Sequence, residues 1–388
     1  MKKKFHYLMV AFSVVILWTH CTRDSALNPP PTDSFINEAQ AWTPDQGMSG
    51  FLTPEFLANA IPEDLEFIDR ILKNPKAEDL RSRSAETHIP VGSINALAAA
   101  IAAAGVDDII IVDEGEHTET GTVVVNKKVK IYGQKGARIL FSNTPAGISD
   151  FTPAFYIPSQ GAESVIRGLI ISGKDPVPGL CIFIDSTAKV KILQNVIDNW
   201  LFGILSYKSD RVVVTQNKVA VNAGGHGIIL ADGNHSNIVM NEVYGAVFGI
   251  WTGGKAGLSF SNHTHHCLYG QNLCKVPAGA FSANQRLINT LGTTVNWIIK
   301  YNQSNDNVAS GYLVIDGANG NWLQHNCAER NGAYAFELTG DTYRFGFLTP
   351  KSYNNTVIAY PNLTVKNCGD HNFIIGGIWV NTADDPCN

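Results

Sequence analysis

Asp232 and His235 share one turn, and His226 stands just before the preceding strand. An acid beside an imidazole can pass protons. Asp and Asn also fill tight turns because their short side chains bond to nearby amides, and that backbone role weighs more here. Lys208, with Asp210 and Arg211, forms a second polar turn, solvated or catalytic. Asp185 ends a strand, where a sugar or cation can bind or where the carboxylate is simply solvated. The densest cluster of metal-ligand types is His263, His265, His266, Cys267 and Cys274. Zinc takes His and Cys in tetrahedral sets, but this spacing matches no zinc motif. No metal ion or other cofactor is therefore assigned. Cys267 and Cys274 read more simply as a small disulfide loop with the histidines on its surface.

No HExxH, Gly-x-Ser-x-Gly, P-loop or dinucleotide glycine motif occurs. The formal net charge is −5, and no basic run lies beyond the N-terminus. Nucleic acid is therefore not an expected partner.

These side chains need a scaffold, and the scaffold shows as a repeat. Cys181-Ile182-Phe183-Ile184 leads to Asn195, Gly203-Ile204-Leu205-Ser206 to Asn217, and Gly227-Ile228-Ile229-Leu230 to Asn241. The offset is constant, since 195−181, 217−203 and 241−227 all equal 14. Such a period marks a solenoid or related array. Short β-rich runs separated by Gly, Asn and Asp point to a parallel β-helix. Its stacked coils set equivalent amides about 4.8 Å apart, close enough for a hydrogen-bonded ladder. Gly168 is expected at the ladder point upstream, and Asn302, Asn326 and Asn367 downstream. The step 302−241 = 61 implies an insertion at about 255–295. The step 367−326 = 41 implies a coil with a loop around Thr339 to Asn355.

Alternate residues of a strand face opposite sides. Ile182, Ile204, Ile228 and Ile250 form one aliphatic row for the core, with Leu313 expected to join it. Phe183, Leu205, Ile229 and Trp251 then face outwards, followed by Asp185, Tyr207, Ala231 and Gly253. Cys327 and Cys368 directly follow Asn326 and Asn367. On equivalent points of adjacent coils they lie about 4.8 Å apart, inside the roughly 4.4–6.8 Å range of a disulfide, so a Cys327–Cys368 bridge is expected.

An Ala-rich helix over Ser93 to Ala104, with Ser93 as N-cap, precedes the segment DDIIIVDEGEHTETGTVVVNKKVKIYGQ. Together they resemble the opening of right-handed parallel β-helix proteins of the pectin-lyase-like and NosD-like kind. The resemblance implies an all-β, single-stranded right-handed β-helix over residues 90–388 with an N-terminal helical cap. It also implies that the outer face is a groove for carbohydrate, unless the N-terminal helices or the insertion simply cover it. Phe183, Asp185, Tyr207 and Trp251 are the ligand-binding residues so implied. The Asp-Pro-His-Asp signature of alginate epimerases is absent.

Met1-Lys2-Lys3-Lys4 and the apolar run Leu8 to Trp18 read as an export signal, too short for a good membrane span. Cys21 follows directly, which resembles a bacterial lipoprotein signal and implies a lipid anchor there. Residues 1–21 are thus a signal, 22–53 a Pro-rich tether and 54–89 a helical segment. The body is expected outside the cytoplasm, anchored or secreted. Two functions follow, beside the third possibility of a structural spacer with no ligand. The first is non-catalytic binding of glycan or another cell-envelope partner along the outer face. The second is a polysaccharide lyase or glycoside hydrolase in that groove, with Asp232, His235 and Lys208 as weak catalytic candidates. Catalysis requires acids or bases clustered on neighbouring coils, whereas binding requires exposed aromatics without that cluster.

Overall fold

The computed structural model describes residues 84–142, 152–174, 179–273, 294–344 and 347–380. The expected signal, the lipidated Cys21, the tether and residues 54–83 of the helical segment lie outside the described residues, as does Cys274. Residues Glu86–Ile89 correct the end of that segment, for they form a strand. It is the first of a 12-stranded sheet whose last strand is Phe373–Ile375. Each strand pairs in parallel with its equivalent in the next coil, as Lys191 does with Val213 and Val213 with Asn237. A 17-stranded sheet collects the other strands of the coils. Parallel pairing at this short chain separation makes a β-solenoid. An antiparallel hairpin, Thr342–Arg344 with Phe347–Thr349, leaves the coil where the step of 41 residues implied a loop.

Ile182, Ile204, Ile228 and Ile250 stand in register and are fully buried. Each such aliphatic side chain contributes roughly 1.5–3 kcal/mol by leaving water. The row continues with Gln271, Tyr312, Phe336 and Val365. Leu313 is thus corrected: it pairs with Asn272 in the outward row, one residue from its expected place. A one-residue shift of this kind sends a side chain to the opposite face.

The ladder is present, with Asn262 gained and Asn367 lost from the expected set. Asn195, Asn217, Asn241, Asn262, Asn302 and Asn326 are all buried. Each Nδ2 donates to the next Oδ1, at 3.0 Å from Asn195 to Asn217 and 3.0 Å from Asn217 to Asn241. The chain continues through Asn262 and Asn302 to Asn326. Each of these Oδ1 atoms also accepts the preceding ladder residue's backbone N–H. The residue before each Asn adopts the left-handed conformation, as Gln216 does at φ 57°. Upstream, Gly168 takes that left-handed place, and Leu169 occupies the ladder point expected for Gly168.

Asn262 narrows the expected insertion. Leu258–Phe260, His263–His265 and Tyr269–Leu273 pair in the two sheets as an ordinary coil. Further down, Asn321, Asn355 and Asn372 form a second amide ladder at another corner. The helix α1 spans Ala96–Ala103, and its Leu97 and Ile101 close the end of the core. Ser93 does not cap it. The buried Glu119 carboxylate accepts Leu97 N–H at 2.9 Å, while Ser93 Oγ bonds to His117.

Cys327 and Cys368 are both disulfide-bonded. The register used to pair them with each other fails, however. Asn367 pairs with Leu338, not with Asn326, so the two cysteines do not occupy equivalent points.

Candidate functional site

The strand after each ladder Asn is short and alternates cleanly. Val219, Val243, Thr264 and Ser304 are in register, and all four are fully buried. Their neighbours therefore point out. Lys218, Glu242, His263 and Gln303 form one outward row, and Tyr244, His265 and Asn305 the next. Residues two apart on a strand share a face, and in-register residues lie one coil apart. Those two spacings bring Glu242, His263 and His265 together.

One ligand-type atom from each of these three residues lies within 4.8 Å of the others. His265 Nε2 is 3.2 Å from Glu242 Oε1. The rings of His263 and His265 stack at 4.4 Å. His265 Nδ1 is 2.9 Å from His266 Nδ1, and Lys218 Nζ is 3.3 Å from Glu242 Oε2. Burial pushes the Glu242 carboxyl up, but the His265 hydrogen bond and the Lys218 charge outweigh it and hold the pKa at about 2. Burial and the neighbouring His265 lower His263 to about 4. At neutral pH the carboxylate is therefore charged and the His263 imidazole neutral. Beyond His266, Arg330 grips Asp306 through two hydrogen bonds of 2.6 and 2.7 Å. This arrangement can bind hydroxyl-rich or charged ligands, hold a cation, or move a proton.

The residues expected to bind carbohydrate are placed differently. Phe183, Tyr207 and Trp251 do face away from the core, yet each is at most 8% exposed. They belong to a second apolar cluster with Leu205, Ile229 and Leu313. Burial removes their ring faces from sugar stacking. Asp185 accepts Tyr156 Oη–H at 3.0 Å. His226 is sandwiched in a column between Phe202 and Phe248, at 5.2 and 5.1 Å. Burial drops its pKa to about 4.

Asp232 and His235 both take left-handed backbone conformations, at φ 55° and 54°. No hydrogen bond or ion pair joins them among the described residues. His235 instead lines an open hollow of about 430 Å³ with Asp210 and Asn234. Lys208 lies over the ring of its own neighbour Tyr207, at 5.2 Å. The expected Cys267–Cys274 bridge is also corrected. Cys267 is a buried free thiol donating to the His265 carbonyl at 3.3 Å.

Comparison with known proteins bears on the scaffold. A family model described as "Right handed beta helix region" matches residues 109–265. The fold is a right-handed parallel β-helix. No curated protein matches the chain. Among solved structures, the β-helix is similar to the A-module of mannuronan C-5 epimerase AlgE4 from Azotobacter vinelandii. The identity is 14%, the match covers 74% of this chain and 92% of that one, and the TM-score is 0.47. An alginate lyase from Paenibacillus sp. matches at 13% identity over 76% and 98%, with a TM-score of 0.36. Endopolygalacturonase I from Stereum purpureum matches at 12% over 79% and 97%, with a TM-score of 0.37. These likenesses concern the fold alone.

Proposed function

We propose that the protein is an exported β-helix that binds a polysaccharide along the outward rows Lys218–Glu242–His263–Gln303 and Tyr244–His265–Asn305. The observation that carries this reading is the strip of hydrogen-bonding side chains repeated from coil to coil. A solenoid offers an extended surface of regular spacing, which suits an extended polymer of repeated hydroxyl groups. The buried aromatic rows favour this strip over the face first expected to bind. Export is supported by the charged and apolar N-terminal pattern, and by the oxidised state of Cys327 and Cys368.

A second reading, a lyase or hydrolase, is favoured by one observation. Glu242, His263 and His265 place an acid and bases on neighbouring coils. Affinity electrophoresis of the full-length protein in gels containing neutral or uronate polysaccharides tests both. At least one polymer is expected to retard it, and Tyr244→Ala and Gln303→Ala to weaken that retardation. Trp322→Ala, on the other sheet, is expected to leave it unchanged. Retardation that survives both strip substitutions, or none with any polymer, overturns the binding reading. New reducing ends or unsaturated products would establish the enzymatic one.

A further inference from the structure

Two of the three clustered side chains have one donor atom held from behind and the other aimed inward. His266 engages Nδ1 of His265, which leaves Nε2 facing Glu242. Lys218 engages Oε2 of Glu242, which leaves Oε1 facing His265. The third side chain, His263, makes no hydrogen bond among the described residues, although it is half-buried. Its ring is stacked on His265. Among the described residues this imidazole has no hydrogen-bond partner, and the surrounding geometry supplies the place for a ligand.

We propose that Glu242, His263 and His265 bind a divalent transition-metal ion, with zinc the best match to a two-histidine, one-carboxylate donor set. Zinc bonds to His nitrogen and carboxylate oxygen at about 2.0–2.2 Å, so tetrahedral ligands lie about 3.3 Å apart. The observed Nε2–Oε1 distance is 3.2 Å. All three ligand atoms already lie within 4.8 Å of one another, so small side-chain rotations complete the set. Three protein ligands leave a fourth position open, as in zinc sites that hold a water or a ligand. His266 and Lys218 act behind the ligands, fixing which atom of each faces the ion. This inference is independent of the polysaccharide reading, because it rests on three side chains and not on what the strip binds.

The test is a zinc titration of untagged, chelator-stripped, full-length protein in competition with a chromogenic chelator. One ion per chain is expected. His263→Ala, His265→Ala and Glu242→Gln are each expected to remove binding or weaken it by about 100-fold or more, and His266→Ala by about 10–100-fold. His371→Ala, an exposed imidazole paired with Asp370, is expected to change nothing. Thermal melts guard against misfolding. Zinc should raise the midpoint of the native protein but not that of His263→Gln, which keeps a side chain of similar size. Cobalt substitution should give the intense visible bands of a four-coordinate site without a thiolate charge-transfer band. The proposal is overturned by an absence of binding, by binding that survives both histidine substitutions, or by a thiolate band implicating Cys267.

Discussion

Trp251 and Glu242 both point away from the core on neighbouring strands, and their surroundings differ completely. Trp251 is 6% exposed and packs edge-on against His226 and Phe248. The Glu242 side chain is 23% exposed and sits among three charged or titratable partners. Strand alternation set the direction of both. It did not set what each would meet. An outward row of Phe, Leu, Ile and Trp becomes a second apolar core. An outward row of Lys, Glu, His and Gln remains a surface with chemistry.

The sharpest way to break this contrast is to place a charge in the apolar row. Ile229→Asp buries a carboxylate between its in-register neighbours Leu205 and Trp251, in an apolar cluster that also holds Phe183. It is expected to destabilise by about 4 kcal/mol or to prevent folding, measured by urea denaturation. A change under about 1 kcal/mol would show that the row is open to water and would restore it as a sugar-binding face.

Asn217→Leu acts on the ladder beneath both faces. It leaves the amides of Asn195 and Asn241 without their shared partner and frees the carbonyls of Ile192 and Thr215. A loss of about 3 kcal/mol is expected, as several buried polar groups go unpaired at once. A loss confined to one face, seen as protected hydrogen exchange on the other, would show that the two faces unfold separately.

A titration gives the finest comparison, because each face holds one histidine whose pKa is lowered to about 4, His226 and His263. The ordinary value is 6.5, so the unfolded chain takes up protons that the folded chain refuses. Stability from each is complete above about 6.5 and falls as the pH drops towards 4, by about 2–3 kcal/mol for His226. His226→Phe should remove part of this slope and leave the share of His263. Denaturation midpoints between pH 7 and 4.5 measure it. An unchanged slope would place His226 in contact with water.

The ladder was legible because Asn195, Asn217 and Asn241 recur at one offset. The site was hidden by a single missed rung. Asn262 follows a strand in which Ser259 occupies a core position, so Leu258-Ser259-Phe260 does not read as an aliphatic run. Without Asn262, the segment passed for an insertion. Once Asn262 is aligned with Asn241, His263 falls beside Glu242 and His265 beside Tyr244. Leu313 fell in the wrong row for a different reason: the core row lies 326−312 = 14 residues before its ladder Asn there, against 195−182 = 13 in the first coil. Spacing along the chain cannot reveal ligands that meet across coils, which is why the histidines matched no known metal pattern. Cover over the aromatic row was one of the readings the sequence left open beside sugar contact, since periodicity gives direction and not cover.

The rung from Asn262 to Asn302 spans 302−262 = 40 residues, against 21 for the rung from Asn241 to Asn262. Even so, Leu258 meets Ile298 and His263 meets Gln303 in full register. The two sheets therefore resume on the far side of residues 274–293 as though nothing had intervened. Chain length at that point is uncoupled from the architecture. For a flexible connection, each doubling there costs only about 0.6 kcal/mol of closure entropy. The coil boundary after Leu273 is thus a natural port for grafting a reporter or a second domain, one that leaves the neighbouring coils in step.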